Sequence, residues 1–214
     1  MIKIKKIISF IFICILCMMI TSCKNKENNN SNDIKEETKL SKEELTNIVN
    51  AKMYNFTMEV KDTQGSRVST SIAKINAEAN GNDVSKMQVE VINNESMYYD
   101  YQNGKCYRIK KVEDKFIGNE KDYSVDDFLN WQEVTDILID DAVIDEVYDS
   151  IVFDKDKHSY SFTIIQNKHE INYEIVISNK QLVSVTAIVD NTREDIIFSN
   201  IGTTVVQIPN YTIE

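Results

Sequence analysis

The chain has 214 residues, of which 42% are hydrophobic and 27% charged, with a formal net charge of −10, four cysteines and a single proline. Such an acidic surface repels phosphate backbones, and no Lys/Arg stripe interrupted by aromatics appears, so nucleic acid is excluded as a partner. The length suits one domain with a real core and requires no second one.

Lys3, Lys5 and Lys6 precede an apolar run from Ile7 to Ile20, and the small residues Thr21 and Ser22 then lead to Cys23. This is the order of a secretory leader: a charged start, an apolar middle and a small-residue cleavage site. As a helix the run rises about 21 Å, short of the roughly 30 Å hydrocarbon core, so a membrane-spanning reading is the weaker one. Ile20-Thr21-Ser22-Cys23 resembles the lipobox of bacterial lipoproteins. The resemblance implies that the thiol of Cys23 takes up diacylglycerol and that cleavage makes Cys23 the mature N-terminus. Residues 1–22 are then a signal peptide, and the protein is expected outside the cytoplasm, lipid-anchored to the bacterial cell membrane. Two acyl chains, at about 0.8 kcal/mol per buried methylene, anchor a protein without any spanning helix. Cys14 and Cys17 fall in the leader, which leaves Cys106 as the one thiol of the body and rules out an internal disulfide there.

Residues 23–39, rich in Asn, Lys and Glu, hold too little apolar area to order themselves and read as a flexible tether. The body is expected over residues 40–214. Leu40-Ser41-Lys42-Glu43-Glu44-Leu45 is a helix start, with Ser41 as cap, Glu44 as its capping-box partner and Leu40 and Leu45 as a staple. Leu45, Ile48, Val49 and Met53 predict one apolar stripe over about three turns. From Tyr54 the period changes to two, and Tyr54, Phe56, Met58 and Val60 alternate with polar residues as in a half-buried strand. Turns at "TQGS", "NGND" and "NNE" and the strong hairpin signal Asn103-Gly104 then predict an antiparallel meander of about five strands.

In the middle, "EDKFIGNEKDY" reads as a polar connection. Ser124 is placed to cap a helix over "VDDFLNWQEV", and "TDILIDDAVID" continues in helical style, apolar enough to require a sheet face beneath it. "EVYDSIVFD", "SYSFTIIQ", "EINYEIVIS", "LVSVTAIVD" and "EDIIFSN" predict five further strands on short polar loops, and "TTVVQIP" a last edge strand stopped by Pro209. The fold class expected is α+β: a curved antiparallel sheet, a half-barrel of about ten strands, with an N-terminal helix and a mid-chain helical cover on the concave face.

The lipobox, the acidic tether, the helix running into "YNFTMEV", the hairpin "MYYDYQNGKCY", the Trp-bearing insert and the ending "ISNKQLVSVTAIVDNTREDIIFSNIGTTVVQIP" together resemble the LolA/LppX-like lipoproteins. The resemblance covers residues 40 to 210. It implies a half-barrel whose apolar concave face, under covering helices, takes a lipid or an acylated ligand. The chain departs from the pattern in its Asn/Lys/Asp-heavy loops and in a short helical cover.

Reactive chemistry is thin. His158 and His169 sit beside polar turns, Cys106 lies in the strand-like "GKCYRIK", and no nucleophile elbow or Gly-rich loop is present. Asp154, Asp156 and His158 alternate as in a calcium loop, but Ser159 and Ile165 stand where the glycine and the bidentate glutamate belong. Asp126-Asp127 and Asp140-Asp141 read as helix caps. The expectation is therefore a non-enzymatic protein with no catalytic residue, metal or cofactor. Phe56, Met58 and Tyr99 on the strands, with Phe128 and Trp131 on the cover, are the candidate lining of an apolar cavity. The same residues equally make a packed core, which leaves a second reading: an envelope protein-protein interaction module with a solid interior.

Overall fold

In the computed structural model, residues 38–80, 83–93, 95–135 and 137–214 are described. The leader, Cys23 and nearly all of the proposed tether lie outside them. Helix α1 spans Lys42–Val49, two turns instead of three, and its capping box is formed: the Glu44 amide donates to Ser41 Oγ at 3.3 Å and the Ser41 amide to Glu44 Oε2 at 3.2 Å. Six strands follow: β1 Asn55–Gln64, β2 Arg67–Asn80, β3 Asp83–Asn93, β4 Glu95–Gln102, β5 Lys105–Val112 and β6 Lys115–Lys121. Three short helices come next, α2 Asp126–Leu129, α3 Trp131–Val134 and α4 Asp141–Val147. Strands β7 Val152–Asp154, β8 Ser159–Gln166, β9 His169–Ser178, β10 Gln181–Val189, β11 Thr192–Ser199 and β12 Thr212–Ile213 complete the chain.

All twelve strands form one open sheet in the order β12-β6-β5-β4-β3-β2-β1-β11-β10-β9-β8-β7. Every pairing is antiparallel except that of β12 with β6. Two meanders, β1–β6 and β7–β11, are thus zipped together where β1 meets β11 over Thr57–Gln64. The outer strands β7 and β12 have only three and two residues, a length that offers little template to another chain. The half-barrel expectation stands in its essentials, with two strands more than counted from the sequence.

Four local expectations change. The "polar connection" contains β6, whose buried position is a glycine, Gly118, so that no apolar alternation advertised it. "EVYDSIVFD" is helical at its start, running through α4 into a 3-10 turn over Tyr148–Ser150, and only its last residues enter β7. The single long mid-chain helix is broken in three. Ser124 does cap α2, accepting from the Asp127 amide at 3.3 Å, but Asn130 turns extended (φ −88°, ψ 101°) and its side chain restarts the helix by accepting from the Gln132 amide. Asp140 caps α4 in the same way, accepting from the Val143 amide at 2.9 Å. Finally, "TTVVQIP" makes no ladder and crosses the sheet as a strap.

Two crossings follow from the strand order. β6 and β7 lie near opposite edges, ten inter-strand steps apart, about 48 Å along the sheet at ~4.8 Å per step. The insert between them must therefore traverse one whole face, and it traverses the face bearing Phe56, Met58, Ile75, Val89, Ile175, Val185, Ile196 and Phe198, where Leu129, Trp131, Ile139 and Ile144 bury themselves together with Leu45 and Val49 of α1. The C-terminal strap traverses the other face, from β11 in the middle to the edge of β6. Its Thr204 amide donates to Asn55 Oδ1 at 2.7 Å, and Tyr211 lies over Gly118 and donates its hydroxyl to the buried Asp100 at 2.9 Å. Ile109 and Val206 are buried outside the main core, on this second face.

Candidate functional site: a cleft in an unzipped seam

β4 begins at Glu95 and β5 runs to Val112, but their ladder stops at Tyr98–Ile109. Residues 95–97 remain paired with β3, and residues 110–112 with β6. The two hairpins thus diverge at their tips, and a cavity of about 720 Å³ occupies the opening. Val91, Met97 and Tyr99 line it from the core-bearing face, Tyr98 and Phe116 from the opposite face, and Tyr123 and Phe128 from the start of the insert. Because side chains alternate across a strand, lining by both faces means that the cleft passes through the seam itself.

Aromatic packing builds its inner wall. The Tyr99 and Phe128 rings lie 5.0 Å apart, Tyr99 and Tyr123 5.7 Å, and Tyr123 and Phe128 5.9 Å. On the opposite face Tyr98 meets Phe116 edge-on at 6.2 Å. Lys110, Lys111, Glu95, Glu113 and Asp127 stand at the rim, and Asp127 is engaged by Ser124, whose amide donates to it at 2.6 Å. Burial, with the neighbouring Tyr123 adding to it, pushes the Tyr99 phenol up to about 12, so it stays a neutral donor at physiological pH.

The five residues expected to line a cavity separate into two groups. Tyr99 and Phe128 do line the cleft. Phe56, Met58 and Trp131 lie elsewhere, fully enclosed: Trp131 stacks edge-on against Phe198 at 5.8 Å, Phe198 in turn meets Phe56 at 6.1 Å, and the indole N–H donates to the Val49 carbonyl at 2.9 Å. That bond satisfies one of the carbonyls left free at the C-terminal end of α1, so Trp131 locks α1 to the insert. These three are packed core, because the insert and α1 together fill the concave face.

Val91, Met97, Phe116, Tyr123, Lys110 and Lys111 were not foreseen as a site. Their placement depends on where one ladder ends, and nothing in the strand pattern marks that point.

Cys106, His158 and His169, the nucleophile and imidazoles noted in the sequence, do not line the cleft. Cys106 is buried, and burial first, then the carboxylates of Asp100 and Asp127, push its thiol up to about 12, the opposite of an activated nucleophile. Asp154 accepts from the amides of Asp156 and Lys157 and so braces its own turn. His169 pairs with Asp190 across exposed loops at 2.9 Å. Among the described residues no group of His, Cys, Asp and Glu could hold a metal ion, and no helix is long and apolar enough to cross a membrane.

No family model matches the chain. No curated protein matches it either. Among solved structures, the lipoprotein LppX of Mycobacterium tuberculosis matches at 9% identity, covering 72% of this chain and 89% of that one, with a TM-score of 0.34. LprF of Mycobacterium bovis matches at 14% identity over 79% and 95%, with a TM-score of 0.36. A DUF1329 family protein of Desulfovibrio piger matches at 10% identity over 77% and 91%, with a TM-score of 0.29.

Proposed function

We propose that this protein is an extracytoplasmic lipoprotein, tethered through lipid on Cys23, that binds an apolar acyl ligand without chemically changing it. What carries the reading is the cleft: a cavity of about 720 Å³, within the range of small-molecule sites, walled by aromatic and aliphatic side chains with charged residues confined to its rim. The leader order, the Ile20-Thr21-Ser22-Cys23 motif and the polar residues 23–39 support the anchoring half of the proposal. The binding site is the seam between β4 and β5, and the space beneath the insert is filled.

Native mass spectrometry of protein purified without detergent tests the binding half, with co-purifying or added lipid expected on the folded protein. A folded protein that takes up none overturns it. Met97→Trp, which fills the cleft, is expected to abolish uptake. The anchoring half is tested by Cys23→Ser, which releases a folded domain from the membrane; unchanged attachment would return residues 7–20 to a membrane-spanning role. The packed interior around Trp131 favours a second reading, an envelope interaction module, and the lipid-free outcome selects it.

A further inference from the structure

Tyr99 is only 6% exposed, and its hydroxyl donates to Met97 Sδ at 3.1 Å. A thioether is a weak acceptor, and a buried phenol ordinarily finds an oxygen or nitrogen. Both residues line the cleft, so this poorly satisfied donor belongs to a buried side chain that borders the cavity. Around it the surface is hydrocarbon and aromatic: Val91 lies on the neighbouring strand in the same face, and the rings of Phe128 and Tyr123 lie at 5.0 and 5.7 Å.

Cations stand on the same face. Arg108 is the ladder partner of Tyr99, and Lys110, two residues further along β5 and so on the same face, lines the cleft. Lys110 makes no ion pair among the described residues, whereas Lys105 on the same strand is held by Glu120 at 2.7 Å. Glu95 and Glu113 at the rim offset these charges, so a full negative charge on the ligand is not demanded. One donor set in an apolar wall is matched by one acceptor oxygen carried on a hydrocarbon chain.

Resting on the proposed acyl-binding role of the cleft, we infer that Tyr99 orients the ligand by donating its hydroxyl to the carbonyl or carboxylate oxygen of an acyl chain whose hydrocarbon lies against Phe128 and Tyr123. Met97 Sδ holds the proton when the cleft is empty and yields it to the better acceptor.

The test compares palmitic acid, methyl palmitate and hexadecane as competitors for cis-parinaric acid on the wild-type protein and on Tyr99→Phe, which keeps the ring and removes only the hydroxyl. Losing one hydrogen bond is expected to weaken binding of the oxygen-bearing competitors by about 3- to 10-fold, with hexadecane unchanged and the melting temperature of the variant retained. Weakening of both oxygenated competitors identifies a carbonyl acceptor, and weakening of palmitic acid alone identifies a free carboxylate. Wild-type binding with the same competitor ranking in Tyr99→Phe overturns the role of Tyr99 and leaves the cleft as a ligand site. Failure of the wild-type protein to bind any of these probes, cis-parinaric acid included, overturns both.

Discussion

The two meanders are built alike and finished differently. In the C-terminal one, β8 and β9 pair along the full length of β8, from Ser159–Val176 to Gln166–His169, on a two-residue turn with left-handed backbone at Asn167-Lys168, and β9 and β10, joined by the similar turn Asn179-Lys180, stay paired from Gln181 to Val189 across one irregularity at Leu182–Ser184. In the N-terminal one the turn at Asn103-Gly104 is just as tight, but the ladder it starts ends after five pairs and the hairpin tips part. The closed meander is covered by α1 and α4, and Lys39 binds the tail of α4 to the start of the body by donating to the Tyr148 and Ile151 carbonyls at 2.8 and 3.1 Å. Over the unzipped one, the short α2 sets Phe128 against Tyr99 at 5.0 Å. The cleft thus arises where the β4–β5 ladder stops short, while the interior around Phe56, Met58 and Trp131 is packed.

The sharpest way to break this comparison is to truncate one aromatic on each side of it. Trp131→Ala removes a fully buried ring and the donor that satisfies the Val49 carbonyl, and is expected to cost about 3–5 kcal/mol. Phe128→Ala removes a ring that already borders open space, so its loss is expected nearer 2 kcal/mol, because fewer contacts are forfeited and the new void joins the existing one. Urea denaturation measures both. Equal losses would mean that the cleft wall is packed like the core.

A smaller effect is expected on the opposite face. A Cβ built on Gly118 would come within 2.5–2.6 Å of the Tyr211 ring, so Gly118→Ala must lift the strap. The overpacking is expected to cost about 1–3 kcal/mol. In a Tyr211→Ala background the same substitution is expected to cost almost nothing, and the double-mutant cycle gives the coupling directly. Additive losses would show that the strap is not held at this crossing.

Gly118 also marks the limit of what the sequence makes legible. Alternation in "YNFTMEV" and the hairpin signal at Asn103-Gly104 identify strands and turns because burial and left-handed backbone leave residue-type signatures. The capping box at Ser41 and the cap at Ser124 are read for the same reason. β6 escapes because its one buried position is a glycine, on the second face, covered by a ring more than 90 residues away. The strap keeps an alternating pattern, with Thr204 and Val206 buried and Val205 exposed, but has no ladder partner, and only topology distinguishes it from a strand. The cleft is half legible: Tyr99 and Phe128 announce an aromatic surface, but the choice between core and cavity depends on where one ladder ends. Phe56, Met58 and Trp131 carry the same signature and turned out to be core.

The smallest effect concerns the outer surface of the closed meander. Burial alone would raise the Asp195 carboxyl, but hydrogen bonds from Arg193 at 2.8–2.9 Å and from Thr186 across the β10–β11 ladder at 2.8 Å outweigh it and hold the group below the usual carboxylate range. A carboxyl depressed in the folded state adds stability that is complete above its unfolded pKa and is lost as pH falls through its folded one. Arg193 is half exposed, so water screens the pair and the contribution is expected to stay below about 1 kcal/mol. Asp195→Asn should therefore be slightly less stable than wild type at pH 7 and converge with it as both are acidified below the usual carboxylate range. Ligand uptake in the cleft should be unchanged at pH 7, since Asp195 sits on the meander that contributes no residue to the cleft. A loss of uptake in Asp195→Asn would mean that the two meanders are mechanically coupled through the β1–β11 junction, and the seam could then no longer be treated as a local feature of the N-terminal half.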